Sequence, residues 1–280
     1  MTCRIYLILF SLFLISCEEV SEVQLQEYPA TIDSLAWHPK AFPTGSKIKL
    51  SLSEDFESSV SGADENLFED VFYTAQLWDD SVGFIQFFDP EIDIVQNLDY
   101  ADPNSYWDEV SKTQIGIYRS TNWFESIPSE AVAITQFHAV AETYNGEAYY
   151  RILHADIIFN DRDHDFSMNP NDKQNYHFPT VLLHELGHLL GLGHTFEMSS
   201  GSIMIPGFSE GYHQDSLASI DRGNIYRKYA KFKPSSGNVN FMMRSNESSD
   251  LGSLKGKQVK RFIHYLMKNG ECEHHDHTHQ

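Results

Sequence analysis

Three histidines and a glutamate crowd into His184-Glu185-Leu186-Gly187-His188-Leu189-Leu190-Gly191-Leu192-Gly193-His194. On a helix, histidines at i and i+4 project from one face, close enough for both rings to reach a single metal ion. Glu185 follows the first histidine and can orient a water without itself being a ligand. Gly191 permits the sharp turn that would bring His194 back towards the same ion. Three neutral imidazoles leave a fourth tetrahedral position open, which is the pattern of a catalytic zinc site and not of a closed structural one. His184, His188 and His194 are therefore the expected ligands of Zn2+, with Glu185 as the catalytic acid and base. A buried metal-free cluster of these groups would be costly to desolvate.

The elements that must position this site can be read on either side of it. Thr180–Leu190 reads as a helix, with Pro179 at its first turn and Gly191 ending it. Asp64–Asp80 repeats apolar residues at helical spacing, and Asp215–Tyr229 reads as a further helix. Lys47–Ser53, Phe84–Phe88 and Gln114–Tyr118 look like short strands. Glu130–Ala141 and Glu147–Asn160 read as a β-hairpin around the Asn145-Gly146 turn signal. Leu254–Lys268 reads as a basic C-terminal helix. His138 and His154, on β-prone segments, read as surface or packing residues.

The histidine segment resembles the HExxHxxGxxH signature of the metzincin metalloproteases, and its Leu-Gly-rich wording is similar to the matrixin branch. Ser202-Ile203-Met204-Ile205-Pro206 resembles the family's methionine turn, with Met204 as the methionine and Pro206 two residues on. Leu217, Asp221, Ile225 and Tyr229 are spaced like the matrixin C-terminal helix, so the resemblance spans about Lys47–Lys231. It implies an α+β fold: a twisted mixed sheet of about five strands with an antiparallel edge strand, an active-site helix, and a smaller C-terminal subdomain with the Met-turn and a helix. It also implies a zinc endopeptidase whose protein or peptide substrate lies along Ala131–Val140 by backbone hydrogen bonds. Glu185 would take the proton of the attacking water and pass it to the departing amine. Tyr212 would line the pocket or support the oxyanion, or simply pack. The chain departs from the family pattern in places. Thr195 replaces the usual serine, the gap from His194 to Met204 is longer, and no cysteine lies between Cys17 and Cys272. A cysteine-based latency switch is thus not visible, and any latency must work differently.

Two weaker signals stay open. Asp161, Asp163 and Asp165 alternate in an acidic loop that echoes a calcium site, but Phe166 stands where the sharp turn demands glycine. The loop reads as a solvated acidic segment, or as a Ca2+ or second zinc site involving His164. The tail 271–280, with His274, His275, His277, His279 and Cys272, reads as a solvated end or as weak zinc capture.

At the other end, Arg4 precedes an apolar run from Ile5 to Ile15, too short to span a bilayer comfortably but matching a signal-peptide core. Leu14-Ile15-Ser16-Cys17 resembles a bacterial lipobox. That resemblance implies cleavage before Cys17 and lipidation of its thiol, and so a protein anchored to a membrane of the bacterial cell envelope, outside the cytoplasm. An ordinary signal peptide cut elsewhere is the other reading. The expected organisation is a signal peptide over 1–16, a tether over 17–46, a catalytic domain over 47–231, a helical extension over 232–270 and the His-rich tail over 271–280.

Composition narrows the function classes further. The 280 residues carry 40 acidic and 20 basic side chains, a net charge of −20, which argues against sequence-independent nucleic-acid binding. With 41% hydrophobic and 13% aromatic residues the chain can bury a substantial core. Only three cysteines are present, so no disulfide framework holds the fold. A monomer is expected. The competing reading is a non-hydrolytic lipoprotein that binds zinc or a partner on the same scaffold, or an inactive adhesin built on it. The intact Glu185 argues against the first, and the intact histidine ligands argue against the second.

Overall fold

The computed structural model describes residues 35–37, 47–103, 105–106, 115–144, 147–230 and 259–268. The signal segment, Cys17, the Asn145-Gly146 turn and the His-rich tail lie outside them. In chain order the elements are β1 (Leu35–Ala36), β2 (Leu50–Ser53), α1 (Phe56–Ser59), α2 (Leu67–Val82), β3 (Asp93–Val95) and β4 (Ile115–Ser120). There follow β5 (Ala131–Tyr144), β6 (Glu147–Asn160), β7 (Phe166–Ser167), β8 (Tyr176–His177) and α3 (Phe178–Leu189). The last are β9 (Gly207–Phe208), α4 (Ser219–Ala230) and β10 (Val259–Lys268).

The expected α+β architecture is present. The main sheet runs β3-β2-β4-β6-β5-β10-β9, with β1 joined to β6, so it holds eight strands and not about five. β2, β3, β4 and β6 are mutually parallel, while the long hairpin partner β5 runs antiparallel to β6 from Tyr144↔Glu147 to Ala133↔Phe159. Side chains alternate across these strands, so each face carries its own apolar set. One face packs against α2 and α3, with Trp78, Leu182, Leu186 and Phe137 fully buried between the layers. The opposite face buries Tyr106, Tyr118, Trp123 and Phe124 over Ile134 and Ile158.

Four expectations need correction. Leu254–Lys268 is not a helix where it is described: Val259–Lys268 is a strand. Its residues are apolar on both faces. Ile263 and Tyr265 join the second cluster, and Leu266 joins the main core. A short two-faced apolar run has no period that separates helix from strand, and the β-prone Val259, Phe262, Ile263 and Tyr265 decide it. It follows that β5 is no edge strand, because β10 covers its outer side. Nor is 17–46 a tether throughout. Leu35 and Ala36 pair in parallel with Tyr150 and Arg151, and Leu35, Ala36 and Trp37 are buried. Phe84–Phe88 forms only an isolated parallel bridge, Ile48 to Phe88. Among the described residues no helix is long and apolar enough to cross a membrane.

Candidate metal centre

α3 is buried nearly all round, so its position is dictated by what packs on it. Pro179 sits in its first turn, where an amide hydrogen is not needed. At its end Gly191 adopts φ +83, and a Cβ there would meet the Leu35 carbonyl oxygen at 2.3 Å. Both the left-handed conformation and the close approach require glycine. The terminal carbonyls are capped by side chains from distant segments. The Trp37 indole Nε1 donates to Leu189 O at 2.7 Å, and the Tyr229 hydroxyl donates to Leu190 O at 3.0 Å. Midway along, Trp78 Nε1 on α2 donates to Leu183 O at 3.0 Å. Past the glycine the chain doubles back and delivers His194.

His184, His188 and His194 are all fully buried, and their ligand nitrogens lie within 4.8 Å of one another. Ring centroids are 4.5 Å apart for His184 and His188, and 4.7 Å for His188 and His194. The Nδ1 of His184 lies 2.7 Å from Ile203 O, and that of His188 2.7 Å from Leu192 O. A carbonyl can only accept, so both Nδ1 atoms carry the hydrogen and both Nε2 atoms present lone pairs. His188 Nε2 and His194 Nε2 face each other at 3.1 Å, near the ~3.4 Å that two nitrogens span on a tetrahedral zinc. His184 Nε2 is buried with no hydrogen-bond partner. Burial holds the His184 ring neutral, with its pKa lowered to about 4, and His188 lies well below its ordinary value for the same reason. Neutral imidazoles with converging lone pairs fit a divalent ion.

Glu185 is also fully buried, and burial pushes its carboxyl up to about 8 against the opposing hydrogen bond from Thr135. The Thr135 hydroxyl donates to Oε2 at 2.5 Å, while Oε1 has no hydrogen-bond partner. A cation next to such a carboxyl favours its charged form.

Met204 lies beneath the helix. A Cβ on Gly187 would meet the Met204 sulfur at 2.3 Å and the Trp78 ring at 2.7 Å, so the thioether rests directly on the helix backbone. The Thr195 amide donates to Met204 O at 2.7 Å. This turn is held by Asp221 of α4, which is fully buried and accepts from the Ser202 hydroxyl and the Ile203 and Ala218 amides. Asp221 thereby holds the amide of Ile203, the residue whose carbonyl orients His184. Pro206 contributes its carbonyl, which accepts from the Met267 amide at 3.1 Å.

Tyr212 does not reach the histidines. Its ring stacks on Phe208 at 4.8 Å, its hydroxyl lies 2.5 Å from Gln214 Oε1, and Phe208 in turn packs 5.3 Å from His184. Asp161, Asp163 and Asp165 are not brought together either. Asp161 pairs with Arg119 and Asp163 with Arg162, so arginines already neutralise two of the three carboxylates. His164 bonds to Ser129 O at 3.1 Å. Among the described residues, only the histidine triad forms a converging group of three metal-ligating side chains, and no calcium or second zinc site is supported. His138 and His154 are not at the surface. They are buried on the sheet face away from α3, with His154 Nε2 2.7 Å from Asp156 Oδ2.

Two residues near the centre have no motif to announce them. Thr135 sits in a β-prone run whose alternation placed it on the sheet but gave no hint of its partner. His264 arrives on β10, with its ring 4.6 Å from that of His188 and 6.4 Å from that of His194. Its helical assignment hid it.

Comparison with protein families finds that residues 135–230, from β5 through α4, match the matrixin family model. The match spans every residue of the buried centre except His264, and the histidine cluster resembles the metzincin zinc site. No curated protein matches the chain. The matrixin match and the histidine triad together support a metalloprotease-type function.

Proposed function

We propose that the protein is a zinc-dependent endopeptidase acting on extended protein or peptide segments, held by a lipid on Cys17 at a membrane of a bacterial cell envelope. The observation that carries the catalytic part is Glu185, a buried carboxyl hydrogen-bonded by Thr135 and next in the helix to His184, one of three converging imidazoles. A pure metal store needs no such carboxyl. When bound by His184, His188 and His194, zinc supplies a Lewis acid. Glu185 accepts a proton from the attacking water through Oε1 and delivers it to the departing amine. Thr135 keeps Oε2 in place during both transfers. Burial of the whole centre excludes bulk water and strengthens each polar contact.

The tether rests on the sequence Leu14-Ile15-Ser16-Cys17 after the apolar run. One observation favours the competing reading of a non-hydrolytic zinc-binding lipoprotein: β10 covers the strand along which a substrate would lie.

The zinc-loaded full chain should cut a peptide library, and a chelator should stop it. Glu185→Gln should keep zinc stoichiometry and lose at least about a hundredfold in rate. Equal inertness of both proteins with zinc bound, persisting when β10 is displaced from β5, would overturn the peptidase reading. For the tether, Cys17→Ala should shift the protein from the membrane fraction to the soluble one and abolish incorporation of labelled fatty acid.

A further inference from the structure

β10 lies between two rims of the metal centre. On one side it pairs antiparallel with β5 over Val259↔Val140 to Leu266↔Ala133, continuing to Met267↔Ala131 after a register shift. On the other side it pairs in parallel with β9, Met267↔Gly207 and Lys268↔Phe208, directly after the Met204 turn. Within this register His264 stands opposite Thr135, the residue that holds Glu185. The side chains of one face point to the centre: His264 beside His188, and Leu266 fully buried in the core that includes α3.

A strand entering between two rims is how an extended peptide adds to a sheet: main-chain hydrogen bonds supply affinity and alternate side chains enter pockets. A peptide substrate laid along β5 and β10 itself would claim the same row of backbone amides and carbonyls. They cannot both have it. We propose that Val259–Lys268 is an internal occupant of the substrate cleft. It keeps the enzyme latent while seated, and catalysis requires it to leave. This rests on the peptidase reading above for its consequence, but not for the occupancy itself. A tethered strand competes at an effective concentration of about a millimolar, enough to exclude ordinary peptide substrates. The contacts at its ends are polar and reversible, Lys260 Nζ to the Tyr150 hydroxyl at 2.9 Å and Lys268 Nζ to Glu210 Oε1 at 2.9 Å. The substrate class follows from the same geometry: an extended segment running antiparallel to β5 and parallel to β9.

The test uses the full chain and Leu266→Ala, which truncates the most buried side chain of the occupant. The substitution should weaken seating by at least about tenfold. Hydrogen exchange should then rise in 259–268 and along β5, with α2 and α3 staying protected. Zinc-dependent peptide cleavage should increase at least about tenfold. A labelled peptide VKRFIHYLMK should bind the variant at least about tenfold more tightly than the wild type and return it to the latent rate, whereas a scrambled peptide should do neither. Loss of protection in β10 and α3 together, or release of β10 with no gain in peptide binding, would overturn the inference by making the strand an integral part of the fold. So would released β10 with peptide bound but cleavage at the wild-type rate. If no variant cuts any peptide while β10 is released and the labelled peptide binds, the cleft occupancy stands and the peptidase reading fails. Because Leu266→Ala reaches the core, His264→Ala provides a milder second variant with the same expected direction in peptide binding and exchange.

Discussion

The Thr135 hydroxyl on β5 donates to the Glu185 carboxylate on α3 at 2.5 Å, tying this buried acid to the strand on which β10 pairs. Thr135 also reaches Glu185 O at 3.2 Å, so one hydroxyl registers both the side chain and the helix backbone. Thr135→Val keeps the shape and removes the donor. Peptidase rate should fall about tenfold with zinc content unchanged, and Thr135→Ser should restore most of it. The pH profile of kcat is the readout that separates positioning from packing. Without the hydrogen bond that stabilises its charged form, Glu185 titrates higher and the alkaline shift shows in the rate.

Asp221 acts one layer further out. It holds the Ile203 amide at 3.0 Å, and Ile203 O orients His184 at 2.7 Å. Asp221→Ala leaves two amides and a hydroxyl without their acceptor, and should cost about 2–4 kcal/mol in denaturant unfolding. Zinc affinity, measured by chelator competition, should fall about 10–100-fold through the misoriented ligand. Unchanged zinc affinity would separate the turn from the metal centre.

Gly187 has no room for a methyl group, with the Met204 sulfur and the Trp78 ring in the way. Gly187→Ala should destabilise by about 1–3 kcal/mol in chemical denaturation. In Gly223→Ala on α4, the nearest atom, 3.6 Å away, belongs to an arginine side chain, and the substitution should be neutral or slightly stabilising.

Asp79, at the end of α2, accepts the Phe87 amide at 2.6 Å, yet burial pushes its carboxyl from the ordinary 3.8 up to about 6. A raised acid pKa means that the protonated form favours folding. The favourable share is fully present below 3.8 and is lost as pH rises through 6. Asp79→Asn removes that dependence, so the stability of the variant relative to wild type should climb by up to about 3 kcal/mol between pH 4 and pH 7. A constant difference over that range would contradict the assignment.

The histidine cluster, the Met204 turn and the paired strands β5 and β6 were legible because each depends on local order: i and i+4 on a helix, a glycine at a turn, alternation in a strand. Gly191 was readable for its turn, but its close approach to Leu35 O was not, since 17–46 reads as a tether with no sustained periodicity. What escaped is long-range pairing. Thr135 meets Glu185 across 50 positions, and His264 reaches the centre only because β10 docks on β5. No periodicity in VKRFIHYLMK says which strand it will join. The helical reading of that segment also concealed the strand that we propose keeps the enzyme latent.

Hydrolysis itself gives the most direct test of the central claim. The zinc-loaded chain and Leu266→Ala, each with and without Glu185→Gln, can be incubated with a peptide library in 18O-labelled water and the products read by mass spectrometry. The predicted result is new carboxyl termini carrying 18O, more abundant for Leu266→Ala than for wild type and lost with Glu185→Gln or chelation. Stoichiometric zinc with no new termini from either Glu185-containing protein would contradict it.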